Sequence, residues 1–187
     1  MPRGAELWQA LYGAWRLLRL DRQGMRYFDL SHHGVWRSFW AAVYCYPGFL
    51  LLLWLRLDAP TIAQSSLGRI FLVETIGYVV AWCAFPLIAI GICRWIGRED
   101  EGFEFITAYN WSQLLQTAFF VLIAAIGLPL PDSAALGLGR LALVLMLGYE
   151  WFVALVAIGA GGWIATMMVV IDIVLGSIIV FVTASLY

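Results

Sequence analysis

Five apolar stretches, each close to twenty residues long, follow one another between Val35 and Leu186. A helix needs about 20 apolar residues to cross the roughly 30 Å of bilayer hydrocarbon at 1.5 Å per residue. The stretches are Val35–Leu55, Ile70–Cys93, Phe105–Gly127, Arg140–Ile158 and Trp163–Leu186, and the short turns between them carry most of the charge, proline and glycine. Of the 187 residues 63% are hydrophobic and only 12% charged, with a mean hydropathy of +0.87. A water-soluble domain of this size leaves much of its area exposed and is about a quarter charged, so it could not hide these stretches. The expected fold class is all-α: an integral membrane bundle of about five transmembrane helices over residues 35–187. Residues 1–34 form a cytoplasmic or interfacial segment, and no length remains for a catalytic domain.

That leading segment carries an amphipathic helix, expected from Ala5 to Leu20. At a helical step Leu7, Leu11, Trp15 and Leu18 share one face with Trp8 at its edge, while Glu6, Gln9, Arg16 and Arg19 fall mostly opposite. Leucine and tryptophan opposed to arginine is the pattern of a helix lying in the membrane interface. Packing on the protein's own cytoplasmic side satisfies the same pattern, and the sequence leaves both open. Arg16, Arg19 and Arg22 interrupt the first apolar residues, so no cleavable signal peptide is expected.

All eleven basic residues are arginine, a composition expected of a GC-rich bacterial genome, and the net charge of −1 gives no reason to expect nucleic acid as a partner. Their distribution sets an orientation. With the amino terminus inside, Arg3, Arg16, Arg19, Arg22, Arg26, Arg37, Arg94 and Arg98 lie on the cytoplasmic side, and Arg56, Arg69 and Arg140 on the other. The positive-inside rule then predicts a bacterial inner-membrane protein with a cytoplasmic amino terminus and a periplasmic carboxyl terminus. Trp36, Trp40 and Trp54 are expected as interfacial anchors of the first span, which Pro47 should kink. Pro86 lies inside the second span, and an Asp58, Pro60 and Gln64-Ser65-Ser66 loop connects the two.

Three acids fall within spans, and each demands an explanation because a carboxylate at the bilayer centre costs about 2.5–3.5 kcal/mol. Glu74 follows Arg69 closely and is expected to sit shallow, pairing with that arginine or reaching water. Glu150 and Asp172 lie about equally far on either side of the glycine-rich turn Gly159–Gly162, so antiparallel helices bring them to a similar depth. One reading is a proton or cation site in which the two acids share a proton. The other is packing between helices through hydrogen bonds with Tyr149, Tyr109, Asn110 or Gln113. Gly77 and Ala81 suit close helix packing.

Other residue types suggest no chemistry. Cys45, Cys83 and Cys93 lack C-x-x-C spacing and read as small buried hydrophobes, so neither a disulfide nor a metal is expected. Adjacent His32 and His33 read as part of an interfacial loop, since zinc wants about four ligands. No hydrolase elbow, metalloprotease motif or phosphate loop occurs, and no cofactor is expected.

The stretch YEWFVALVAIGAGGWIATMMVVIDIVLGSII combines an aromatic-rich fourth span, a small-residue turn and an alanine-containing fifth span. It resembles the carboxyl end of the Yip-type (Ypt-interacting) five-span membrane proteins, and TAYNWSQLL is similar to the tyrosine-bearing helix start of that family. The resemblance implies five spans and a cytoplasmic amino terminus. It also implies contact with small GTPases in eukaryotic relatives, through an amino-terminal region that is short and amphipathic here. The expectation is a non-enzymatic scaffold, assembly factor or accessory subunit, bound to lipid and to a membrane-protein partner or a second copy of itself. The alternative is a small proton or cation channel or transporter using the intramembrane acids.

Overall fold

The computed structural model describes residues 4–57, 62 and 65–187; Arg3, Asp58, Pro60 and Gln64 lie outside the described residues. The described residues are helical throughout, with turns between. The elements are α1 (Gly4–Leu18), a 3₁₀ helix (Arg22–Tyr27), α2 (His32–Ser38), α3 (Trp40–Arg56), α4 (Leu67–Trp95), α5 (Glu99–Gly127), α6 (Asp132–Ile158) and α7 (Gly162–Ala184). Five helices are long and apolar enough to cross a membrane, with α2 and α3 together making the first. The chain is a multi-pass membrane protein.

The expected spans reappear with earlier starts. The Ser66 hydroxyl accepts the Arg69 N–H, so α4 begins at Leu67. The charged run expected as a turn shrinks, because Glu99, Asp100 and Glu101 enter the first turn of α5, where the positive end of the helix dipole favours acids. The expected turn Leu128–Gly139 is also shorter, with α6 starting at Asp132. Gly137 and Gly139 do not stop it, since a glycine costs only about 1 kcal/mol in a helix and broken hydrogen bonds in lipid cost more. The other end of α6 closes on Gly159 in the left-handed region (φ 64°). There the Arg98 guanidinium donates to the Ile158 carbonyl at 3.1 Å.

The first span is interrupted at Phe39, where α2 meets α3. Ser38 donates to the Val35 carbonyl at 2.7 Å and accepts from the Asn110 amide at 2.8 Å, and back-bonding of this kind bends helices. Helix α3 runs on through Pro47. The Tyr78 hydroxyl donates to the Ala42 carbonyl at 2.6 Å, in the region the proline loosens. His32 and His33 are the opening residues of α2, capped by Ser31, and not loop residues as expected.

Helix α5 is the axis of the bundle and packs against α1, α2, α3, α4 and α6. Phe105 through Ser112 are buried without interruption, so neighbours enclose the helix on every side there. Helix α7 closes the bundle against α4 and α6. Leucine, valine and isoleucine on α4, α6 and α7 stay exposed, as a lipid-facing surface requires. Trp8, Trp36, Trp95 and Trp163 are 73%, 76%, 83% and 79% exposed and lie at one end, forming an aromatic belt. Trp40 is only half-exposed.

Helix α1 docks on protein, but not by the face expected. Ala10, Gly13, Ala14 and Leu17 are buried against the 3₁₀ helix, α5 and α6. Leu7 and Leu18 flank that contact, Leu11 is half-buried, and Trp8, Tyr12 and Trp15 face outward. Small side chains permit the close approach: a Cβ on Gly13 would meet the Gly24 carbonyl oxygen at 2.9 Å, and one on Gly24 would meet that of Gly13 at 2.6 Å. Arg16 does not point to solvent as expected. It clamps the chain reversal by binding Asp21 (Nε to Oδ2, 2.7 Å), Tyr27 (3.0 Å) and Gln23 (3.1 Å). Those contacts offset the left-handed conformation of Leu20 (φ 60°), which disfavours a branched side chain. Arg19 remains exposed.

Glu74 lies toward the opposite end of the bundle, level with the end of α3 and with Tyr187, yet is only 5% exposed. Its Oε1 accepts from Arg56 at 3.2 Å, from the Thr183 hydroxyl at 3.2 Å and from the Tyr187 hydroxyl at 2.6 Å. The expected partner Arg69 is exposed; Arg56, from the end of α3, takes that place. Gly77 lets α7 approach α4.

Candidate functional site

Between α3, α4, α5 and α7 lies a cavity of about 300 Å³. Side-chain contacts join the helices on two sides of it. On one side Tyr46, Phe49 and Tyr78 stack between α3 and α4, with Phe49 and Tyr78 ring centroids 4.6 Å apart. On the other, the Tyr109 hydroxyl of α5 donates to Asp172 Oδ1 of α7 at 3.0 Å. Asp172 lies ten residues into the 23-residue α7, close to its middle.

Glu150 of α6 is 3% exposed and lies within electrostatic reach of both Asp172 and Tyr109. Its Oε1 is one of three buried side-chain polar atoms without a hydrogen-bond partner among the described residues; the others are Asn110 Oδ1 and Gln116 Nε2. Three ionisable groups from three helices thus converge at mid-bundle. Buried polar atoms are nearly always paired, so the unpartnered Glu150 Oε1 within this cluster calls for an explanation.

Of the sequence candidates, Glu150, Asp172, Tyr109 and Asn110 come together here, with Asn110 also bonded to Ser38. Two candidates belong elsewhere. Glu74 joins Thr183, eleven residues beyond Asp172 on α7 and so about 16 Å along the helix. Tyr149 is no partner of the acids: its hydroxyl donates to the Ala14 carbonyl and accepts from the Ser112 hydroxyl, both at 2.8 Å. The interface residues Leu7, Trp8, Leu11, Trp15, Leu18, Arg16 and Arg19 lie on or around α1, remote from the cavity lining.

Sequence reasoning missed the α3 and α4 wall, formed by Cys45, Phe49, Tyr78, Trp82 and Pro86. Two prolines near these residues were the available signal. Pro86 supplies no N–H to the Trp82 carbonyl, which leaves an acceptor without its helical donor. Cys45 and Cys93 are buried as expected, whereas Cys83 is exposed on the outer surface of α4. Among the described residues no group of three or more His, Cys, Asp or Glu lies close enough to hold a metal.

Comparison with protein-family models, with curated proteins and with solved structures finds no match.

Proposed function

We propose that this multi-pass membrane protein handles protons or cations, as a small channel or transporter whose working groups are Asp172, Glu150 and Tyr109. One observation carries the reading: two carboxyls and a phenol from different helices meet at mid-bundle, and Asp172 and Tyr109 open on a cavity. Acids in such places pair with one another and mark ion or proton pathways. Burial of the cluster in a chain only 12% charged supports a use beyond packing. The action is non-enzymatic, since these groups hold and pass protons and attack nothing. Arginine distribution supports a cytoplasmic amino terminus and a periplasmic carboxyl terminus in a bacterial inner membrane. Kinship with Yip-type proteins belongs to the same proposal, supported by five spans and the tyrosine-bearing opening of α5.

Reconstitution into liposomes with a trapped pH-sensitive dye tests it. An imposed gradient drives flux through the wild type, and Asp172→Asn or Glu150→Gln lowers that flux by about tenfold, equivalent to about 1.4 kcal/mol. Flux that is absent, or unchanged in both variants, overturns the proposal.

A scaffold or accessory-subunit role is the second reading, favoured by the outward row Trp8, Tyr12 and Trp15 on α1. Mild-detergent purification from native membranes would then yield a stoichiometric partner or a homo-oligomer, and Glu150→Gln with Asp172→Asn would leave function intact.

A further inference from the structure

We infer that the cavity between α3, α4, α5 and α7 binds an organic cation, an ammonium group carried on a compact apolar or aromatic body. The inference rests on the cation-handling reading above and names its substrate class.

Charge decides the sign of the ligand. Among the described residues Asp172 is the only charged side chain in the lining, which holds no arginine and no histidine. The other polar side chains of the lining, Asn110, Gln113 and Thr117 among them, are uncharged. Asn110 borders the cavity but is fully buried, its amide donated to Ser38 and its Oδ1 without a partner. The Trp82 carbonyl lacks a helical donor because of Pro86, and both residues line the cavity. An anion would meet a carboxylate and no cationic partner.

Size and surface decide the body. Calcium takes about 6–8 oxygen ligands at about 2.3–2.6 Å, and magnesium demands octahedral geometry. A cavity of about 300 Å³ walled largely by carbon cannot close around such an ion. Phe49, Tyr78, Trp82 and Phe120 line it instead. Aromatic faces attract ammonium groups within about 6 Å, more strongly where water is excluded, and cages of this kind recognise quaternary ammonium ligands. An acid at one end and aromatic rings along the wall suit a cation whose positive group meets Asp172 while its body lies on the rings.

Calorimetric titration of the purified protein in lipid nanodiscs with benzyltrimethylammonium, a fixed cation with an aromatic body, tests this. Benzyl alcohol and benzoate serve as comparators, and empty nanodiscs as the partition control. Saturable binding of the cation alone is expected, weakened by about tenfold or more in both Asp172→Asn and Trp82→Leu. If Asp172→Asn does not elute as a single species, Trp82→Leu decides. Absence of saturable binding, equal binding of benzyl alcohol or benzoate, or unchanged affinity in Trp82→Leu overturns the inference. Binding without flux in liposomes sinks the carrier reading and leaves this one standing. Proton flux without binding does the reverse.

Discussion

Tyr149 and Glu150 are consecutive residues of α6 that serve opposite neighbours. The Tyr149 hydroxyl holds the Ala14 carbonyl of α1 at 2.8 Å, while Glu150 lies within electrostatic reach of Asp172 on α7. Successive residues diverge by about 100° around a helix, so a single turn of α6 joins the docking of the amino-terminal helix to the acid cluster. Displacing that turn disturbs both contacts together.

The first prediction concerns the docking. Tyr149→Phe removes one bond to Ala14 and one to Ser112, at about 0.5–1.5 kcal/mol each. Hydrogen exchange over Gly4–Leu18 should accelerate while α4 and α7 stay protected. Unchanged exchange in α1 would show that its apolar contacts suffice.

Helix contact at the far end gives a second. A Cβ on Gly77 would lie 2.6 Å from Thr183 Cγ2, and Thr183 cannot rotate away without releasing Glu74. Gly77→Ala is expected to cost about 1–3 kcal/mol, the usual penalty of overpacking. Gly137→Ala, where nothing lies within 4 Å, should be neutral or mildly stabilising. Thermal unfolding in detergent separates the two, and equal midpoints would refute the close crossing.

A third prediction distinguishes two arginines. Arg56→Ala leaves the buried Glu74 with only hydroxyl donors and should lower the unfolding midpoint, whereas Arg69→Ala should leave it in place. The reverse order would restore the pairing expected from sequence proximity.

Acid should loosen the α1 reversal. The Gln23 backbone N–H, and then the Arg16 guanidinium, hold the Asp21 carboxyl below its ordinary value. A folded pKa below the unfolded one gives a contribution fully present above about pH 4 and lost as pH falls through the folded value. The Trp15 signal in fluorine NMR of 5-fluorotryptophan-labelled protein should therefore shift or broaden in that acid range. Asp21→Asn should abolish the transition, and an identical titration in that variant would exclude Asp21 as its source.

The five spans were legible because hydropathy and length are local properties. The common depth of Glu150 and Asp172 was legible too, by counting outward from one glycine turn. The docking face of α1 was not: hydropathy favours Leu11 and Trp15, but close helix contact rewards Ala10, Gly13 and Ala14. Glu74 took Arg56 over Arg69 because α3 and α4 meet across a loop whose path the sequence does not fix. The cavity wall was hidden since uniformly apolar helices reveal no rotation, and nothing in the spacing of Phe49, Tyr78 and Trp82 tells which way they point.

Burial of Phe105–Ser112 reaches back to how the chain enters its membrane. Helix α5 is the least apolar of the five spans, yet it occupies the centre, shielded by neighbours rather than by its own side chains. Alone in lipid it would expose Thr107, Asn110, Ser112 and Gln116 to hydrocarbon. Its insertion is therefore a collective event. The helices made before it must gather around it, and α6 must follow soon after, before the axis of the bundle can leave the protection of the insertion machinery.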